Sequence, residues 1–232
     1  MIQLSSSTLS IFRNCPRCFW LDKISKLKRP RGIFPSLPSG MDKVIKQYFD
    51  TYRESGTLPE AIKEQMPGVT LFQNQKLLNK WRYWGTGLEY KGNDFIVVGA
   101  LDDLGVCGDY YIPIDYKTKG SPSTLEQSIE YYQPQLDLYD LLLSSNGYPT
   151  KHEGWLIYFS PEELFRILDV SGNETISTRF KVEAFKLQTD KNRAIDLINM
   201  AVDCLKGPKP AASPKCEYCN MELARAGQAE LI

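Results

Sequence analysis

The residues best placed to do chemistry are two acids and a lysine in the stretch VVGALDDLGVCGDYYIPIDYKTKG, residues 97–120. Asp102, Asp115 and Lys117 interrupt two apolar, β-branched runs that otherwise read as a hairpin. With Gly108 and Asp109 as a two-residue turn, Cys107 faces Tyr110 and Asp102 lies across from Asp115, while Lys117 shares their face beside Ala100. Like charges directly opposed in a sheet destabilise it, so the pair requires solvent exposure or a cation between the carboxylates. Hard oxygen donors suit Mg²⁺ or Mn²⁺, with the backbone carbonyl of Tyr116 as a further donor. Lys117 is spaced to position or activate a water and to stabilise charge on a phosphate oxygen. The plain alternative is a solvated face carrying ordinary surface charges. A one-residue slip or bulge would exchange Asp103 for Asp102.

Cysteine supplies the second cluster. Cys15 and Cys18 form CPRC, and Cys216 and Cys219 form CEYC, close to 200 residues further on. In a reducing compartment paired cysteines point to metal or redox chemistry before disulfides. Four thiolates complete either a [4Fe-4S] cluster or a tetrahedral Zn²⁺ site, and either would clamp the chain ends together. Cys107 and Cys204 read as structural.

The rest of the composition is permissive. At 232 residues the chain can bury a real core, and its 28 basic and 28 acidic residues advertise neither a nucleic-acid nor a membrane partner globally. No apolar run approaches the roughly 18 residues of a membrane span and no leader pattern opens the chain, so a soluble cytoplasmic protein without a membrane partner is expected.

The elements that must position these residues are legible as patterns. Ser5, Ser6 and Ser7 offer caps for a short helix carrying Leu9 and Phe12 and stopped at Pro16. Val44, Ile45, Tyr48, Phe49 and Tyr52 mark an amphipathic helix from Met41, and LFQNQKLLNKW reads as a second. GLEYK, FIVVGALDDLGVC and YYIPIDYKT read as an antiparallel meander. Residues 124–145 read as a helix that Pro134 should kink or restart. GWLIYFS and FKVEAFKLQ are later strands, and DKNRAIDLINMAVDCL a closing helix. One domain over 1–232 is expected, with a helical part at 1–85, an α/β core at 86–190, and a last helix and cysteine pair at 191–232.

GALD at 99–102, IDYKT at 114–118 and QLDLY at 135–139, in that order, resemble the GxxD, DxK and QxxxY motifs of the PD-(D/E)XK nuclease superfamily, in its RecB-like branch. That branch includes the nuclease domains of RecB and AddB and the CRISPR-associated RecB-like exonucleases. The opening LSSSTLSIFRNCPRCFWL is similar to the start of the same branch. The resemblance implies an α/β, restriction-endonuclease-like core: a central mixed sheet with an antiparallel meander, flanked by helices, with the termini joined by a cysteine-ligated site. It also implies metal binding by Asp102 and Asp115, catalysis by Lys117 assisted by Gln135 and Tyr139, and a [4Fe-4S] cluster in preference to zinc. The expected partners are DNA, single-stranded or at its ends, and proteins of a repair or CRISPR adaptation complex.

Two departures stand out. The branch usually carries a histidine ligand in an early helix, but SGMDKVIKQYF has none, and the chain's one histidine, His152, reads as a surface loop residue. The iron-sulfur members usually divide their cysteines one and three, whereas this chain divides them two and two. For DNA contact, Lys26, Lys28, Arg29 and Arg31 form a basic cluster suited to phosphates, and Trp81, Arg82 and Trp84 interleave aromatic and basic groups as a stacking platform would.

Overall fold

The computed structural model describes residues 1–30, 36–83 and 85–220. Its elements run β1 (Ile2–Leu4), α1 (Ser6–Asn14), α2 (Pro16–Lys23), α3 (Ser36–Arg53), α4 (Glu60–Lys63), β2 (Thr70–Leu71), α5 (Gln75–Arg82), β3 (Leu88–Lys91), β4 (Phe95–Gly99), β5 (Asp103–Cys107), β6 (Tyr110–Thr118), α6 (Leu125–Ser145), β7 (Glu153–Leu168), β8 (Glu174–Gln188) and α7 (Lys191–Lys206). Local chemistry accounts for the helix starts. Ser5 and Thr8 form a reciprocal capping box on α1, Pro16 occupies the first turn of α2, and the Thr124 and Asp190 side chains cap α6 and α7.

The strands form two mixed sheets, β1-β4-β3 and β2-β5-β6-β7-β8, in which β1 runs parallel to β4 and β6 parallel to β7. One apolar core joins both sheets to α1, α6 and α7 through Leu9, Val97, Leu136, Leu142, Leu156 and Ile198. A second core lies on the other face of the five-stranded sheet, where Ile45 and Phe49 of α3 meet Ile112, Ile114 and Ile157. The sheet is therefore covered on both faces, as a sheet containing parallel strands must be.

The hairpin register is the one that the two-residue turn requires: Cys107 pairs with Tyr110, Gly108 takes a φ of +59°, and the ladder ends with Asp103 opposite Ile114. The expected single strand over FIVVGALDDLGVC is instead two. β4 stops at Gly99, and Ala100–Asp102 carry the chain from the three-stranded sheet to the five-stranded one. Leu101 consequently turns into the first core and does not join Ile112, Ile114 and Tyr116 in the second. Gly99, the last residue of β4, packs close under α6, where an added Cβ would collide with Leu142 Cδ1.

Helix α6 passes through Pro134 without a break in its assignment. A mid-helix proline leaves the carbonyl four residues earlier without its amide donor. That carbonyl belongs to Glu130, and Arg13 Nη2 donates to it at 3.4 Å. Strands β7 and β8 run beyond the expected GWLIYFS and FKVEAFKLQ as a long hairpin, in which Leu164 pairs with Thr178 and Arg166 with Ile176.

Candidate active site

β6 carries Asp115 and Lys117 on the face turned toward α6, where Gln135 waits one helical turn before Tyr139. Gln135 Nε2 donates to Asp115 Oδ1 at 2.8 Å and to the Tyr139 hydroxyl at 2.7 Å, and its Oε1 accepts from Lys117 Nζ at 3.2 Å. Lys117 Nζ also lies 2.5 Å from Asp115 Oδ2 and 4.4 Å above the Tyr132 ring. The structure thus brings Asp115, Lys117, Gln135 and Tyr139 into one connected network.

Asp102 completes it from the gap between the sheets. Tyr116 N–H donates to Asp102 Oδ2 at 3.2 Å, so the aspartate stays beside β6 although β5 begins only at Asp103. Asp103 faces the other way. Fully buried, it binds Arg53 at 2.6 Å, Arg82 at 3.2 Å and the Tyr116 hydroxyl at 2.6 Å, with Leu104 N–H on its second oxygen. The alternation of the chain therefore gives one aspartate to the cleft side and the next to a structural ion-pair network under α3.

The site holds a residue that the sequence reading passed over. Lys46 of α3 reaches Asp102 Oδ1 at 2.7 Å and Asp42 Oδ2 at 2.8 Å. Each carboxylate of the opposed pair thus has its own ammonium group, Lys46 for Asp102 and Lys117 for Asp115, and the repulsion that seemed to demand a metal is offset within the chain. The available signal was the i, i+4 spacing of Asp42 and Lys46, which on an amphipathic helix reads as an ordinary surface pair.

Electrostatics still single out Asp115. Burial and the neighbouring Asp102 charge push its carboxyl up to about 7, against the opposing pull of Lys117. Burial alone would lower the ammonium groups of Lys46 and Lys117, but the carboxylates beside them outweigh it and raise both. Asp115 Oδ2 is buried and has no well-angled hydrogen bond, although Lys117 Nζ is within ion-pair distance. The Lys117 ammonium holds that oxygen by charge, as a cation there would. Two hard carboxylates, one with an oxygen so placed, fit a divalent cation.

Gln135 and Tyr139 of the network also line a cleft of about 700 Å³, together with Ser7, Lys23, Ala100 and Tyr131 among others. Tyr131 is 65% exposed there, whereas Trp81 is 4% exposed and stacked on Phe72 in the core. Trp81 is therefore not a stacking platform, because a base needs a free ring face. Arg82 is likewise not a phosphate contact: Asp50, Asp103 and the Asp102 carbonyl consume its guanidinium. Trp84 and Arg31 lie outside the described residues. Lys26 and Lys28 are exposed, and Arg29 turns inward to the cysteines. His152 is largely exposed and backs Asp140 of α6 at 3.1 Å, away from the acidic pair.

At the chain ends Cys15, Cys18, Cys216 and Cys219 are all buried, with their sulfurs within 4.8 Å of one another. Burial pushes the Cys15 thiol up, but backbone amides of Cys18 and Ser213 outweigh it and bring it to about 6. Four gathered soft donors fit a metal.

The class that this arrangement defines, acids and a lysine on and beside one strand facing a glutamine helix, matches the PD-(D/E)XK nuclease superfamily, whose family model aligns with residues 41–222. The chain belongs to that superfamily. No match was found among curated proteins. Among solved structures, one titled "Crystal structure of SSO0001" aligns over 96% of this chain and 85% of that one, at 14% identity and a TM-score of 0.49. Among the described residues no helix is long and apolar enough to cross a membrane.

Proposed function

We propose that this protein hydrolyses DNA phosphodiester bonds as a metal-dependent deoxyribonuclease. The reading takes it as an exonuclease of the RecB-like kind, acting on single-stranded DNA or DNA ends in repair, recombination or CRISPR spacer acquisition. The observation that carries it is the contact network joining Asp102, Asp115, Lys117 and Gln135, of which Gln135 also lines the cleft.

Asp102 and Asp115 would hold the divalent ion, Mg²⁺ or Mn²⁺, which supplies a Lewis acid and lowers the pKa of a bound water. Gln135 fixes Asp115 by one oxygen and turns the other toward the site. A residue in an extended strand aims its N–H and C=O at the same neighbour, so the Tyr116 carbonyl points to the side of Asp102 and suits a further ligand. Lys117, gripped between Asp115 and the Tyr132 ring, offers its ammonium to the attacking water or to charge growing on the phosphate. Tyr139 holds Gln135 in place, Tyr131 offers a face to a base, and Lys26 and Lys28 suit more distant phosphates.

End-labelled single- and double-stranded DNA incubated with each divalent ion tests this reading. Nucleotide release that needs Mn²⁺ or Mg²⁺ and disappears in both Asp115→Ala and Lys117→Ala supports it; no release from either substrate by the intact protein sinks it. The Lys46–Asp102 contact favours a second reading, a nuclease-fold module that binds DNA or a partner nuclease without cutting. That module would bind DNA yet show no Mn²⁺ heat in calorimetry.

A further inference from the structure

The spacing of the four sulfurs decides what they can hold. Cys15 Sγ lies 3.7 Å from Cys219 Sγ, and Cys18 Sγ lies 3.5 Å from Cys216 Sγ and 3.6 Å from Cys219 Sγ. The remaining pairs are within 4.8 Å. A tetrahedral ion with metal–sulfur bonds near 2.3 Å sets its thiolates about 3.8 Å apart. A [4Fe-4S] cubane puts each thiolate on a different iron, outside a cage of eight atoms, and spreads them to roughly 6 Å or more. The cage does not fit among these sulfurs; a single ion does.

The backbone around them repeats one plan twice. Cys15 immediately precedes α2 and Cys216 immediately precedes the helical residues 217–220, and each pair's second cysteine falls in the first turn that follows. The turns close alike, Phe19 N–H on the Cys15 carbonyl at 3.2 Å and Asn220 N–H on the Cys216 carbonyl at 3.0 Å. Two equivalent Cys-x-x-Cys turns facing each other present four sulfurs as two matched pairs, the arrangement a closed tetrahedral site uses.

Arg29 addresses the charge. Four thiolates on a divalent ion leave two negative charges in a buried site. Arg29 Nη2 donates to Cys216 Sγ at 3.8 Å and to Asn14 Oδ1 at 2.7 Å, and its guanidinium lies 4.7 Å over the Tyr218 ring. The residue that looked like a phosphate contact in the basic cluster is thus held against the sulfurs by three partners.

We propose that the four cysteines bind one Zn²⁺ in place of an iron–sulfur cluster, and that Arg29 is a positioning residue that offsets the charge of the tetrathiolate. Binding displaces whatever protons the four thiols still carry, with no electron transferred. The assignment is independent of the nuclease reading, because it concerns how the two chain ends are joined.

The test is metal analysis of the full chain, produced with both iron and zinc supplied and purified without oxygen. About one zinc per chain, negligible iron and no absorbance band near about 400 nm is the expected result. Iron and inorganic sulfide at about four each, with that band, would overturn the proposal, as would a folded chain retaining no metal. Cobalt exchange gives an independent readout: intense visible d–d bands support the tetrahedral tetrathiolate, and weak octahedral bands oppose it. For Arg29, Arg29→Gln should lose its zinc to a chromogenic chelator roughly tenfold faster than the intact protein, with Arg29→Lys in between. Equal rates in all three would remove Arg29 from the site.

Discussion

Lys46 Nζ sits 2.7 Å from Asp102 Oδ1, on the carboxylate that a divalent ion would have to share. An ion entering the acidic pair competes with an ammonium group already there. Lys46→Met should therefore bind Mn²⁺ more tightly, by about tenfold if the competition is worth roughly 1.4 kcal/mol. Without metal the same variant should be less stable by roughly 1–3 kcal/mol, since a half-buried carboxylate loses its partner. Calorimetry and chemical unfolding in chelator check the two halves, and weaker Mn²⁺ binding in the variant would assign Lys46 a supporting role instead.

Asp115 links stability to pH in the metal-free protein. Its folded-state carboxyl, at about 7, lies above its ordinary value of 3.8. A raised carboxyl is a penalty that is absent while both states are protonated, grows as pH rises from about 4 to about 7, and is constant above. Asp115→Asn removes it. The variant should gain on the intact protein in melting temperature across that interval, by several degrees at pH 8, with chelator present throughout. A difference that does not change with pH would contradict the assignment of the raised value to this residue.

The Asp103 network predicts a purely structural effect. Arg53 and Asp103 are 1% and 0% exposed and joined at 2.6 Å, and removing one partner strands the other charge. Arg53→Met should cost roughly 3–5 kcal/mol in denaturant unfolding. Asp50, which burial would raise but Arg82 and Arg53 hold below the usual carboxylate range, adds acid sensitivity. Its contribution is full above the unfolded carboxylate pKa and fades as pH falls toward the depressed folded value. Whatever Arg53→Met remains folded should retain its rate of DNA cleavage.

Gln135 touches Asp115, Lys117 and Tyr139 at once, so its loss should be felt in rate and not in fold. Gln135→Ala is expected to lower kcat by roughly 10- to 100-fold, as loss of a residue that orients metal ligands does, with little change in melting temperature. An unchanged kcat would remove Gln135 from the site.

These residues also show why some of the site was legible and some was not. A two-residue turn and the period of two fix which hairpin residues oppose one another, so the face shared by Asp115 and Lys117 could be read from the chain, as could the serine cap of the first helix, which falls on Ser5. The switch of sheets at Ala100–Asp102 could not: an apolar run with regular alternation looks the same whether it pairs within one sheet or crosses between two. Nor could the partner of Asp102, because Lys46 arrives from a helix more than 50 residues earlier and no local pattern aims it there. Trp81 and Arg82 misled for a related reason. Adjacent aromatic and basic residues look like a nucleic-acid surface, but a short helix packed between Phe72 and the Asp50–Asp103 network turns both inward. Pro134 reads as a kink or a restart, yet α6 continues through it, with Arg13 of another helix donating to the carbonyl the proline leaves without its amide.

The central claim rests most directly on Asp115. The decisive measurement is release of nucleotides from end-labelled single-stranded DNA in Mn²⁺, comparing the intact protein with Asp115→Asn, whose fold is verified by its melting curve. Metal-dependent release by the intact protein and none above background by the folded variant is the predicted result; equal release by both would contradict the account.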